Sequence, residues 1–205
     1  MFDHDMIFSI PALLIALTIH EYAHARAAVS LGDPTPRYFG RLTLNPIPHL
    51  DPIGLIMLWL FKMGWAKPVP INPSNFYNWR KGTIITSLAG PLSNIAVALV
   101  TAFILRTFEV VGYQAADAIQ MIGLNIYKYN LVFAIFNLLP FPPLDGSKVL
   151  TVFLPARYEI HLQQFEQYSP FILMIFVYLG VVWKIVEPLI NLVHVFIQLL
   201  VNVVL

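Results

Sequence analysis

Four stretches of this chain, residues 7–31, 82–105, 120–139 and 170–205, are dominated by apolar side chains. Each is as long as the roughly 20 residues that carry a helix across the hydrocarbon core of a bilayer. That pattern predicts an all-α polytopic membrane protein with about four to six transmembrane helices. Composition agrees: 58% of the 205 residues are hydrophobic, only 11% are charged, and the formal net charge is +1. An ordinary soluble domain carries about 25% charged residues. A disordered chain, a charged nucleic-acid binder and most soluble enzymes are excluded, and the expected surroundings are a lipid bilayer. There is no cysteine, so any metal must be held by His, Asp or Glu.

The segments between the runs have their own character. Residues 37–45 (RYFGRLTLN) have the aromatic and β-branched content of a short membrane-associated β-hairpin turning near Gly40. Residues 53–61 are strongly apolar but would reach only about 14 Å as a helix, so a re-entrant or interfacial segment is predicted there. Residues 141–146 (FPPLDG) cannot continue the third span past their prolines, and a short helix is expected from Ser147 to Leu154. Residues 170–205 read as one long kinked helix or a hairpin of two. Lys184 and Glu187, one turn apart within it, are expected to pair, and Pro188 to mark the kink or turn. A single domain over 1–205 is predicted, with its core at 7–154. Arg37, Arg41, Lys62, Lys67, Arg80 and Lys81 are half of the 12 basic residues. The positive-inside rule then places 33–81 in the cytoplasm and the N-terminus outside, as a multi-pass protein of the cell membrane.

The first span contains His20-Glu-Tyr-Ala-His24, an HExxH. Two His at i and i+4 share a helical face and can hold one Zn²⁺, while Glu21 beside them can take a proton from water. Ionisable side chains inside a span are costly unless paired, metal-bound or facing water. Buried histidines hydrogen-bonded to neighbouring helices are the plainer alternative. A catalytic zinc needs a third protein ligand. Asp145, in the Pro-rich break, is one candidate; as an alternative it caps the helix that follows. His49 is open between a further ligand, a gate and an interfacial histidine. His4, His161 and His194 lack partners at metal-site spacing and are read as structural.

Taken with two further motifs, the chain resembles the site-2 proteases, the M50 family of intramembrane zinc metalloproteases. Residues 87–94 (SLAGPLSN) open a later span, and residues 137–146 (NLLPFPPLDG) are similar to the family's NxxPxxxxDG signature. Residues 45–52 and 64–70 are similar to a small bacterial and archaeal subgroup without PDZ or CBS modules. Asp-Gly-Ser147 departs mildly from the usual Asp-Gly-Gly. The resemblance covers residues 7–150. It implies one catalytic Zn²⁺ on His20, His24 and Asp145, with Glu21 as general base and a transmembrane protein as substrate. The reaction's oxyanion needs donors. Asn137 and Asn94 are candidates, with interhelical hydrogen bonding as the alternative for each. A further expectation is that an unwound substrate adds as a strand to the 37–45 hairpin, through Leu42 and Thr43. A metal-ion transporter and a non-catalytic membrane scaffold are the competing functions.

Overall fold

The computed structural model describes residues 4–61, 64–155 and 164–205. Among these the chain is helical throughout: α1 (His4–Ser30), α2 (Thr35–Tyr38), α3 (Pro52–Phe61), α4 (Trp79–Val111), α5 (Asp117–Asn137), α6 (Asp145–Thr151), α7 (Ser169–Tyr178) and α8 (Val181–Val204). Three of them, α4, α5 and α8, are long and apolar enough to cross a membrane. This corrects the expected four to six. At 27 residues α1 has the length, about 40 Å, but His20, Glu21 and His24 interrupt its apolar run. The ten-residue helices α3 and α7 reach only about 15 Å.

The predicted β-hairpin at 37–45 is absent, and with it the strand-addition edge at Leu42 and Thr43. Pro34 and Pro36 have the φ that starts a helix, and the backbone then winds. Arg37 and Tyr38 N–H donate to Pro34 O, Phe39 N–H to Thr35 O and Arg41 N–H to Pro36 O. Those amides are used locally and none is left for a ladder. Beyond Arg41 the chain is held in turns: Thr43 Oγ1 accepts from Asn45 N–H, and Asn45 Oδ1 from Ile47 N–H. Among the described residues the sole β contact is an isolated antiparallel bridge between Leu50 and Ala66.

The helical core forms around α4. Asn78 caps its first turn by accepting from Lys81 N–H. Gly112, at φ 70°, ends it in the left-handed conformation. α1 packs against both α4 and α5, and α4 also contacts α6. Ala98 and Ala102 of α4 meet Leu131 of α5 and Ile197 and Val201 of α8. Small residues at such a contact let helix backbones approach closely. The C-terminal region breaks at Leu179–Gly180, where Gly180 adopts φ 74°. It is therefore two helices, and Pro188 lies inside α8 instead of ending it. Ile135, Leu144, Leu173, Val182 and Val186 form the second apolar cluster, joining α7 and α8 to the end of α5.

The break after α5 is shorter than expected. α6 begins at Asp145, not at Ser147, with Leu144 as its N-cap. Gly146 makes this possible: a Cβ there would overlap the carbonyl oxygens of Leu138 and Leu139 at the end of α5. The turn thus folds back tightly and sets Asp145 against α1.

Candidate metal centre

His20, His24 and Asp145 come from α1 and α6, 121 or more residues apart, and converge in the interior. Each is at most 5% exposed. His24 Nε2 lies 3.0 Å from His20 Nε2 and 3.0 Å from Asp145 Oδ2, and His20 Nε2 lies 3.1 Å from the same oxygen.

The hydrogen bonds behind these rings decide which nitrogens carry protons. His24 Nδ1 is 2.7 Å from Thr86 O. A carbonyl only accepts, so this nitrogen donates. His20 Nδ1 is 2.6 Å from Asn94 Oδ1. The Asn94 amide is oriented by its other end, where Nδ2 donates to Ala16 O at 2.9 Å and to Asn130 Oδ1 at 2.7 Å. Asn130 is oriented in turn, because its Nδ2 donates to Ile126 O. Both histidines therefore present bare Nε2 lone pairs to each other and to a carboxylate oxygen. Three acceptors about 3 Å apart repel unless a cation sits among them. These donor types, two imidazoles and one carboxylate, suit a catalytic zinc, and each ring is backed by an oxygen acceptor. Among the described residues, no other cluster of His, Asp or Glu could hold a metal.

α4 closes the centre from the side. Gly90 lies against both rings, and a Cβ there would overlap Nε2 of His24 and of His20. The glycine of the 87–94 motif therefore keeps the space at the imidazoles open. Lys148 Nζ donates to Asp145 Oδ1 at 3.1 Å, which leaves Oδ2 for the histidines. Asp145 is thus engaged with the rings and Lys148, and no cap hydrogen bond from it is present on α6.

Glu21 is buried beside the cluster without belonging to it. Its Oε2 accepts from Val69 N–H at 3.0 Å. Val69 lies between Pro68 and Pro70, which have no N–H, so it supplies the one backbone donor of that tripeptide. The strap is held in place by Arg41. This buried guanidinium donates to Pro48 O and, at 2.8 Å, to Lys67 O and Pro68 O. Burial lowers the Arg41 pKa, and the charge of Glu21 opposes that shift. Lys67 N–H donates to His49 O. Asp33, fully buried at the end of α1, ties down the next stretch. Oδ2 accepts from Asn72 N–H at 2.7 Å, and Oδ1 from Asn75 Nδ2 at 2.8 Å and from Thr35. Burial alone would raise its pKa, but the bonds from Thr35, Asn75 and Asn72 outweigh that and hold it below the ordinary 3.8.

The remaining candidates do not belong to the ligand cluster. His49 is fully buried and bonds Thr43 O through Nε2 at 2.9 Å, outside the metal cluster. Asn137 donates to Phe133 O in its own helix. His194 bonds Tyr127 at 2.7 Å. The side chain of His4 and all of His161 lie outside the described residues. Sequence reasoning passed over Asn130, Asp33, Arg41 and Lys148. Only Asn130 had a signal, as an amide in an apolar span. A cavity of about 550 Å³ opens beside the centre, lined by His24, Val69, Trp79, Thr86, Ser87 and Lys148 among others.

Comparison with known proteins agrees with this chemistry. The model of Peptidase family M50 matches residues 109–180. Two relatives are named as putative zinc metalloproteases. YwhC of Bacillus subtilis (strain 168) is 38% identical over 80% of this chain and 77% of its own length. Rip2 of Mycolicibacterium smegmatis is 29% identical over 82% of this chain and 66% of its own length. No solved structure matches. Two bare imidazoles and a buried carboxylate are donor types that suit the zinc in these relatives' names, three of the described helices are long and apolar enough to cross a membrane, and the chain belongs to the M50 family of zinc metalloproteases, as a multi-pass membrane member.

Proposed function

We propose that the protein is an intramembrane endopeptidase that hydrolyses peptide bonds within transmembrane segments of other membrane proteins, in the manner of site-2 proteases. The observation that carries this reading is a carboxylate, Glu21, with one oxygen held by Val69 N–H, buried beside a set of ligand lone pairs that it does not join. A Zn²⁺ on His20, His24 and Asp145 supplies, when bound, the Lewis acidity that polarises water and the scissile carbonyl. Glu21 acts as general base. Val69 N–H holds Oε2, so the other carboxylate oxygen takes the proton from the attacking water and delivers it to the leaving amine. Both N–H groups of Asn94 are engaged, and its part is to fix His20 in the ligating tautomer. Asn137 has one N–H beyond its bond to Phe133 O, and we assign it to the oxyanion.

A substrate helix hides its carbonyls in its own hydrogen bonds and must unwind before attack. The cavity beside His24 lies between the first turns of α4 and α6 and is where an unwound strand would lie. With residues 33–81 in the cytoplasm and the N-terminus outside, it is entered from the cytoplasmic side. The test is cleavage of a model transmembrane substrate by purified protein with zinc, alongside Glu21→Gln. Loss of cleavage with zinc content retained supports the proposal. Cleavage by Glu21→Gln at the parent rate removes Glu21 from the mechanism. Zinc flux into liposomes without cleavage would make the protein a transporter.

A further inference from the structure

Helix α8 carries a polar stripe from end to end. Lys184, Glu187, Asn191, His194, Gln198 and Asn202 recur at intervals of three or four residues, so they share one side of the helix. The stripe covers about 27 Å of axis, nearly the full hydrocarbon thickness of about 30 Å. It is distinct from the packing face, where Val182, Val186, Ile197 and Val201 are buried. It is also distinct from the apolar outer face that bears Leu192, Leu199 and Val203, all exposed.

Only the middle of the stripe is answered within the chain. Tyr127 of α5 bonds His194 at 2.7 Å, and Gln198 interacts with the same phenol. Lys184, Glu187, Asn191 and Asn202 are exposed, and among the described residues none makes a hydrogen bond or an ion pair. The expected pairing of Lys184 with Glu187 is absent. Lipid tails cannot satisfy these groups, so in a bilayer they must face protein or water.

We propose that the α8 stripe is a homodimer interface, with a second copy of this chain as its occupant. Copies inserted in one membrane share an orientation, so two α8 helices run parallel and each residue meets its own counterpart about a two-fold axis. An Asn amide both donates and accepts, so Asn191 and Asn202 can each pair with themselves. Lys184 lies one turn from Glu187 of the second copy, and the symmetry makes two such ion pairs. The three-and-four spacing is that of a left-handed two-helix seam. A protease substrate helix, by contrast, offers no fixed polar register against four positions over the full bilayer depth. The inference does not depend on the proteolytic reading.

The chain has no cysteine, so single-cysteine variants report cleanly. Asn191→Cys and Asn202→Cys sample the stripe, and Leu192→Cys and Leu199→Cys sample the outer face. Each full-length variant in native membranes is treated with a short bis-maleimide. The stripe variants are expected to give a covalent product of twice the 23.2 kDa chain mass, at least about tenfold more than the outer-face variants, compared at equal expression. The double variant Asn191→Leu/Asn202→Leu is expected to lower the dimer association constant in vesicles about eightfold, from two lost interhelical hydrogen bonds at about 0.6 kcal/mol each. Asn191→Gln should retain association. Equal or absent crosslinking at both faces overturns the proposal. So does crosslinking of the stripe to a co-expressed transmembrane substrate in place of a second copy, or labelling of the whole stripe by a water-soluble maleimide.

Discussion

Replacing Asn94 with Leu tests whether the hydrogen bonds behind the metal centre set its ligand chemistry. Asn94 is fully buried and makes three side-chain bonds. Its loss leaves His20 Nδ1–H and Asn130 Oδ1 without partners. Ala16 O, inside α1, keeps its helical bond. Two orphaned buried groups at about 1–3 kcal/mol each cost about 2–6 kcal/mol of stability. The metal is affected through a different route. Without an acceptor at Nδ1, the His20 proton is free to move to Nε2, and a protonated Nε2 cannot ligate. Loss of such a supporting bond typically weakens metal binding 10–100-fold, about 1.4–2.7 kcal/mol. Asn130→Leu separates the two effects. It unpairs one Asn94 N–H, but the bond from Asn94 to Ala16 O still directs Oδ1 at His20. The assay is zinc competition against a chelator of known affinity, on protein whose fold is checked by thermal unfolding. Asn94→Leu should bind zinc 10–100-fold more weakly, and Asn130→Leu within about threefold of the parent despite a stability loss of about 1–3 kcal/mol from its one orphaned amide hydrogen. Unchanged zinc affinity in folded Asn94→Leu, or equal losses in both variants, would falsify the tautomer argument.

Three other perturbations test the surroundings of the site. Gly90→Ala places a methyl group where the two Nε2 atoms lie, and is expected to abolish zinc binding by equilibrium dialysis while the helical content by circular dichroism stays close to the parent. Arg41→Met releases the carbonyls of Lys67 and Pro68, which should lower kcat about 10-fold or more with zinc content unchanged, because the strap no longer presents Val69 N–H to Glu21; an unaltered kcat would separate strap from base. Asp33 has its folded pKa below its ordinary value, so it stabilises the fold at pH above that value and loses this contribution as pH falls through the folded pKa. The midpoint of thermal unfolding should therefore drop on acidification below about pH 4, and Asp33→Asn should be less stable at neutral pH with a flatter acid limb; parallel limbs in the two proteins would assign the acid sensitivity to other groups.

What could be read from the sequence, and what could not, divides along the chain by surroundings. In an apolar span a polar residue raises a question by its presence, because its burial cost is plain from the neighbouring residues. That cost adds to the HExxH pattern at His20, Glu21 and His24 and marks Asn94, while Asp145 stands out in a Pro-rich break at the end of a span; the same reasoning extends to Asn130. In the polar segment 33–81 a charge needs no explanation, so nothing local separates Arg41 or Asp33 from a solvated side chain. Their roles come from partners at Pro48, Lys67, Asn72 and Asn75, which only the folded chain brings together. The same segment misled on secondary structure. Its β-forming residues were outvoted by Pro34 and Pro36, which start a helical turn, and by side chains that take up the backbone groups a hairpin would need. At the far end, Pro188 was the obvious place for a break, yet Gly180 makes it, because a left-handed residue ends a helix where a proline within one is tolerated. The candidate metal ligands are thus written in the part of the chain where the membrane makes polarity expensive, and the parts that hold Glu21 in place are written where polarity costs nothing. A variant screen guided by sequence alone would find the first group and pass over the second, which is why Arg41 and Asp33 are the substitutions that most directly test the structure.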